Sequence, residues 1–244
     1  MDMEHDKVTP YNSGKDKTRQ VAEMFNNISN RYDLLNDILS LGIHKGWRKK
    51  CVALLRDVKP RHILDVATGT GDFAIECMRL QPEKITGIDI STGMLASGRE
   101  KIRKLGLEDK IELLEGNAET ADLPANSFDA IVVGFGVRNF ADLEKGLANL
   151  YRVMRPGGRL VVLEFTYPRN FLVKAGYNFY FSYITPLIGR IFSKDRRAYS
   201  YLTESVKAFP HNKDFTDILL KLGYKNASYG TLSMGIAAIY IADK

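Results

Sequence analysis

The segment Arg61-His62-Ile63-Leu64-Asp65-Val66 is a short apolar run that ends in Ala67-Thr68-Gly69-Thr70-Gly71. Such a run reads as a buried strand turning tightly into a helix, because glycine supplies the backbone conformations that a tight turn needs. The alternation recurs: Ile85 to Asp89, Ile111 to Leu114, Phe128 to Val133 and Leu160 to Glu164 read as further strands. Helical segments at Met94 to Leu105 and Leu143 to Val153 separate them, and Pro156-Gly157-Gly158 leads into the last strand. Five strands separated by helices predict an α/β fold, a parallel sheet with helices on both faces. Helix Asp214 to Leu222 and strands Lys225 to Tyr229 and Ile236 to Ile241 close the sheet.

Around this frame lie three less regular parts. Residues 1–17 are polar and aperiodic and read as a flexible or partner-ordered arm. Three helices follow, at Thr18 to Asn30, Leu34 to Leu41 and Lys45 to Arg56. Between Phe165 and Lys207 the alternation stops, and the aromatic stretch Phe171 to Phe192 reads as an inserted helical cap. The expectation is one domain over 18–244, with N-terminal helices at 18–58 and a cap at 166–207.

At 244 residues and 45% hydrophobic content the chain can bury a sizeable core. It has no uninterrupted apolar run of ~18 residues, and its start is too polar for a signal peptide, so secretion and membrane spanning are disfavoured. Cys51 and Cys77 cannot supply a four-thiolate zinc site and are too far apart for a redox pair, so no metal site is expected and a reducing cytoplasm fits. The charge balance, 35 − 29 = +6, is mildly basic. No basic stripe with interleaved aromatics borders the glycine turn, which disfavours nucleic acid.

A strand, a glycine turn and a helix place backbone N–H groups where an anionic or polar cofactor group can sit. Gly69-Thr70-Gly71-Asp72-Phe73-Ala74 fits the loose dinucleotide pattern, with Asp89 about 20 residues on to hold ribose hydroxyls, so NAD stays open on this motif alone. Asp65, inside the preceding strand, can orient backbone or meet a cofactor ammonium group. Asn117-Ala118-Glu119 follows the third strand.

This order of motifs resembles the class I S-adenosylmethionine-dependent methyltransferases. The resemblance implies a Rossmann-like fold with a mainly parallel sheet and a C-terminal antiparallel strand. It also implies that Thr68 and Gly69 to Gly71 lie along the amino-acid part of S-adenosylmethionine, that Asp89 binds its ribose, and that Asn117 and Ala118 border its adenine. Asp65 and Gly134 are further cofactor candidates. Capping of a turn or helix is the competing role for Asp65 and Asp72.

Two more segments narrow the family. Tyr32 to Arg48, YDLLNDILSLGIHKGWR, is similar to the first signature of the menaquinone and ubiquinone C-methyltransferases, and Arg152 to Phe165 resembles their second. Gly134-Phe135-Gly136-Val137-Arg138-Asn139, Tyr199 to Ser205 and Phe209-Pro210 extend the resemblance over nearly the whole chain after Gln20. One departure is Gly134, where members often carry serine. The family reaction is C-methylation of a demethylated isoprenoid quinol, and demethylmenaquinol is the favoured acceptor, with a benzoquinol beside it.

That chemistry asks the protein to hold an electron-rich ring carbon in line with an activated methyl and to exclude water. A cation near the ring oxygen, or a base for the departing proton, would assist. Arg138 suits the first role, with a structural ion pair as its other reading. Asn139 positions a quinol oxygen or caps the next helix. His44 titrates in the useful range, and Tyr32 and Trp47 either line the pocket or belong to the core. An apolar tail implies access from the bilayer surface, and Phe171 to Phe192 with Lys194, Arg196 and Arg197 has an interfacial composition. The location expected is cytoplasmic, peripheral at the inner face of the membrane. Other readings are methylation of another lipophilic acceptor, a noncatalytic cofactor-binding scaffold subunit, and an NAD-dependent oxidoreductase.

Overall fold

In a computed structural model, the described residues are 4–11, 13–168, 175 and 196–244. Seven strands form one sheet: β1 His62–Val66, β2 Lys84–Asp89, β3 Ile111–Glu115, β4 Phe128–Gly134, β5 Met154–Phe165, β6 Lys225–Leu232 and β7 Ala237–Asp243. Their order is β3-β2-β1-β4-β5-β7-β6. All neighbouring pairs from β3 to β5 are parallel, and β7 runs antiparallel to both β5 and β6.

The strand order reverses direction between β1 and β4, so the connections leaving their C-terminal ends diverge and open a crevice there. Both faces of the central strands are covered. Leu64, Val66, Ile131, Val133, Leu160 and Val162 belong to one core, while Ile63, Ala130, Val132, Val161 and Leu163 belong to the other. This is the two-residue alternation of a strand buried on both sides, which explains why the strands read as continuous apolar runs.

Helices α4 Asp72–Cys77, α5 Thr92–Lys104 and α6 Leu143–Val153 connect the strands. Helices α1 Lys17–Ile28, α2 Tyr32–Ser40 and α3 Ile43–Ala53 precede them, and α7 Arg196–Ala208 and α8 Lys213–Lys221 follow. One tie between the N-terminal layer and the sheet domain is Asn26, whose Oδ1 accepts from Ser91 Oγ at 2.8 Å and from Gly93 N at 2.9 Å. A Cβ on Gly93 would lie 2.9 Å from Ser29 Oγ, so the close approach of α1 to α5 needs glycine there.

Two expectations change. Strand β5 starts at Met154, so Pro156-Gly157-Gly158 lies within it as an irregularity, where the pairing with β4 shifts from Phe128↔Met154 to Ala130↔Arg159. Gly157 reaches φ +78° there, and its N–H donates to the Lys244 carbonyl at 3.0 Å. The polar start, read as a flexible or partner-ordered arm, packs against the chain's own residues. Glu4–Lys7 forms a 3-10 turn, His5 is 1% exposed, and Lys17 Nζ donates to the His5 carbonyl at 2.9 Å. The aromatic cap stretch Phe171 to Phe192, residue 175 apart, and Lys194 lie outside the described residues, as does the Arg196 side chain. Helix α7 packs Tyr201 against Val21 and Met24 of α1.

Candidate active site

The turn after β1 is built from left-handed residues: Ala67, Gly69 and Gly71 have φ of +53°, +56° and +78°. That path turns the Gly69 N–H toward β2, where it donates to Asp89 Oδ2 at 2.8 Å, while Ser91 N donates to Asp89 Oδ1 at 2.8 Å. Asp89 thus ends β2 with one backbone donor on each oxygen, which leaves lone pairs for a diol. Burial raises its pKa to about 6.

Asp65 is the more unusual group. Its Oδ2 accepts from Thr68 Oγ1 at 2.6 Å and from Ala74 N at 3.0 Å, so the capping role weighed for it is real. Its Oδ1, however, is buried with no partner. Burial pushes the pKa to about 7 against the pull of those two donors. A buried carboxylate oxygen without a donor is costly and fits a site that a cationic group completes.

These residues line one continuous crevice with two ends. The first end is bordered by Asp89, Gly116, Asn117, Ala118, Asn139 and Phe140. The second is bordered by Asp65, Thr68 and Arg138 and by apolar side chains including Met24, Ile28, Leu35 and Leu39. Gly69, Gly134, Phe135, Phe25 and Tyr32 belong to both ends. The residues fit S-adenosylmethionine: the unpaired Asp65 oxygen suits its ammonium, Asp89 its ribose diol, and Asn117 and Ala118 its adenine. Asn117 Oδ1 accepts from Glu119 N at 2.8 Å, and the Ala118 carbonyl accepts from Asn149 Nδ2 at 2.8 Å, so this border is rigidly held.

Gly71 does not line the crevice. Its left-handed φ serves the turn, and a Cβ there would point at Ile102 Cδ1, 3.5 Å away. At Gly134 a Cβ would lie 2.9 Å from Phe73 Cδ1. The Phe73 ring occupies the space that a serine side chain needs, which accounts for the departure noted at this position. Gly134→Ser is therefore expected to destabilise the fold by ~1–3 kcal/mol, and Phe73→Leu to recover most of that loss in thermal melts.

Both Asp65 and Asp89 have raised pKa values, and a cation with a diol prefers them ionised. Below about pH 6 each must lose a proton before the cofactor binds. Affinity should therefore rise with pH between 5 and 7, by about tenfold per unit where one carboxylate is protonated. Calorimetry in buffers of different ionisation enthalpy should show proton release. A flat profile would contradict the pairing.

In the second end, Phe135 and Phe165 stack at 4.3 Å. Phe135 holds φ +57°, a strained value for a bulky residue, fixed by its N–H donating to the Leu163 carbonyl at 2.7 Å. The Arg138 guanidinium lies 5.6 Å over the Phe165 ring. Arg138 Nη1 donates to Glu164 Oε1 at 2.8 Å and also to the Phe135 carbonyl. Its ion-pair role is thus real, yet its side chain also borders the pocket, and its Nε is buried without a partner. Glu164 is fully buried, and burial raises its pKa against the pull of Arg138.

The remaining candidates separate. Asn139 borders the first end: its Oδ1 accepts from Tyr201 Oη at 3.1 Å, and the capping of α6 falls to Asp142. His44, 5% exposed, lines the second end, where Ser40 Oγ, which donates to the Asn36 carbonyl, lies against its Nδ1 and the Asp37 carboxylate lies 3.5 Å from its Nε2. Burial, then Arg48, lowers the His44 pKa, which keeps it neutral at pH 7. Tyr32 lines both ends, whereas Trp47 sits behind the Phe135–Phe165 wall with Nε1 on Ser233 Oγ at 3.2 Å.

Sequence reasoning missed Glu164 and Tyr201. A charged residue ending the run Leu160-Val161-Val162-Leu163 was the available signal, since a carboxylate in a strand buried on both faces needs a partner. Also missed was the clasp in which Lys101 Nζ joins Asp33 at 2.6 Å and Asp72 at 2.7 Å, while Arg48 joins Asp72 at 2.8 Å. Burial alone would raise the Asp72 pKa, but these two cations more than offset it and the net shift is downward. Asp72 thus binds the N-terminal layer to the mouth of the crevice.

The sheet is similar to that of a SAM-dependent methyltransferase from Aquifex aeolicus, with TM-score 0.55 and 19% identity over 75% of this chain and 82% of that one. The fold is that of the SAM-dependent methyltransferases. The sequence narrows this further. Residues 13–244 match the ubiE/COQ5 methyltransferase family. The chain is 44% identical to a demethylmenaquinone methyltransferase of Bacteroides fragilis over the full length of both. It is 39% identical to a ubiquinone/menaquinone biosynthesis C-methyltransferase UbiE of Geobacter sulfurreducens, over 98% of this chain and 93% of that one. The chain belongs to the ubiE/COQ5 methyltransferase family.

Proposed function

We propose that this methyltransferase methylates the ring carbon of demethylmenaquinol, giving menaquinol. The observation that carries the reading is the second end of the crevice, which we assign to the acceptor: a largely apolar chamber bordered by two cations, Arg48 held by Asp72 and Arg138 over a stacked aromatic wall. Bound beside Asp65 and Asp89, S-adenosylmethionine would supply an activated methyl group. Phe135 and Phe165 then hold a flat ring by its face, and Met24, Ile28, Leu35 and Leu39 exclude water around it. Arg138 stabilises negative charge on the ring oxygen, which raises electron density at the neighbouring carbon. His44, whose pKa burial lowers and whose Nε2 faces Asp37, is the base assigned to the ring proton that must leave.

An isoprenoid tail also calls for access from a lipid surface. Support for this comes from α2, whose inner residues Leu35 and Leu39 line the chamber. At the same corner Leu34, Leu41 and Ile43 are 50%, 83% and 49% exposed, with Lys45 and Lys49 exposed beside them. Among the described residues no helix is long and apolar enough to cross a membrane. We therefore place the protein at the inner face of the cytoplasmic membrane.

The test is methyl transfer to a short-tailed demethylmenaquinol kept reduced, beside the matching benzoquinol, with product mass and methyl position recorded. A ring-carbon methyl on the naphthoquinol is expected. Transfer to the benzoquinol alone would move the assignment to that acceptor, and cofactor binding without transfer to either would overturn the reading.

A further inference from the structure

Arg138 and Asn139 face opposite ends of the crevice from a single 3-10 turn, Val137–Asn139, so the placement of that turn sets both ends at once. Within the turn, Asn139 N donates to the Gly136 carbonyl and Phe140 N to the Val137 carbonyl. The Arg138 carbonyl is bonded from elsewhere: His5 Nε2 lies 2.6 Å from it, across 133 residues of sequence. A carbonyl only accepts, so His5 Nε2 carries the proton.

His5 is itself built in. It is 1% exposed, its ring meets Phe209 edge to face at 5.8 Å, and Lys17 Nζ, 6% exposed, donates to its carbonyl. His5 Nδ1 lies 3.0 Å from Asp6 Oδ1. Burial and the Lys17 charge lower the His5 pKa, but the bond to Arg138 requires only the Nε2 proton, present in both the charged form and one neutral tautomer. The contact therefore outlasts titration of the ring.

We propose that His5 is a positioning residue for methyl transfer, holding the Arg138–Asn139 turn through the Arg138 carbonyl. The turn is gripped at three points by three separate elements: Glu164 of β5 takes the Arg138 guanidinium and N–H, Tyr201 of α7 takes the Asn139 amide, and His5 takes the carbonyl between them. Without His5, a buried carbonyl loses its donor and the turn is free to rotate that group toward another. A displacement of Arg138 of that kind lowers the rate of transfer more than it weakens acceptor binding.

The inference rests on the role of Arg138 in the proposed reaction, and two variants separate packing from hydrogen bonding. His5→Phe keeps a ring against Phe209 and removes the donor. His5→Gln keeps an N–H donor near the Nε2 position. His5→Phe should lower kcat about tenfold with the acceptor KM changed less than about twofold, and His5→Gln should recover most of the rate. Independently of any acceptor, amide hydrogen exchange in the 136–140 segment should speed up in His5→Phe and return toward normal in His5→Gln. Lys17→Met, which loosens His5 from behind, should move exchange the same way by less and serves if His5→Phe does not fold. Unchanged exchange in His5→Phe, or His5→Gln as impaired as His5→Phe, overturns the proposal. A wild-type protein inactive on every quinol would refute the acceptor reading, while the exchange experiment would still decide the role of His5.

Discussion

Asp65→Asn is expected to lose S-adenosylmethionine binding by roughly 30- to 100-fold, the ~2–3 kcal/mol that a hydrogen bond to a charged partner contributes. The backbone and hydroxyl donors on Oδ2, from Ala74 and Thr68, can still be met by an amide oxygen, so the turn should stay in place. Apo stability should move the other way. The folded pKa of Asp65, about 7, lies above the usual carboxylate value, so the folded state holds a proton that the unfolded state has released. Stability attributable to this group is therefore present at low pH and declines as pH rises toward and through 7. The variant has no such decline, so its apo melting temperature should exceed that of the wild type at pH 8 and the gap should close near pH 4. Tight cofactor binding by the variant would show that the unpaired oxygen faces no cation.

Arg138→Met is expected to reduce methyl transfer by about 10²- to 10³-fold, the range seen when a preorganised charge-stabilising donor is removed. It should also destabilise the protein by ~3–5 kcal/mol at pH 8, because fully buried Glu164 loses its cation. The two effects can be separated. Adding Glu164→Leu removes the stranded carboxylate and should restore most of the stability in urea unfolding, with no recovery of activity. Acid should partly rescue the stability of Arg138→Met alone, since protonation makes Glu164 neutral. If the double variant regains activity along with stability, the ion pair is structural and the acceptor needs no cation.

Those two residues show how unevenly the site was legible. Asp65 could be singled out in sequence because it interrupts an apolar strand directly before glycines, and Asp89 because it ends the next strand. Each position follows from local rules: a two-residue alternation locates the strand, and glycine marks the turn. The order of strands and helices is local in the same sense, and the expected elements match the observed ones to within a few residues except in β5. There, the sequence-adjacent turn Pro156-Gly157-Gly158 was taken into the strand because the pairing of β4 with β5 and the Lys244 carbonyl supply its partners.

What the chain determined by itself was the α/β frame, the glycine cradle with its carboxylates, and the position of Arg138 just after the fourth strand. Tertiary structure decided their states. It paired Arg138 with Glu164 and tied Asn139 to Tyr201. It set His44 against Ser40 and brought His5 under the Arg138 carbonyl. These are contacts between residues 4 to 133 positions apart, made where water is excluded. Periodicity reports which face a residue takes, but hydrogen-bond partners and shifted pKa values depend on what the folded chain packs against that face.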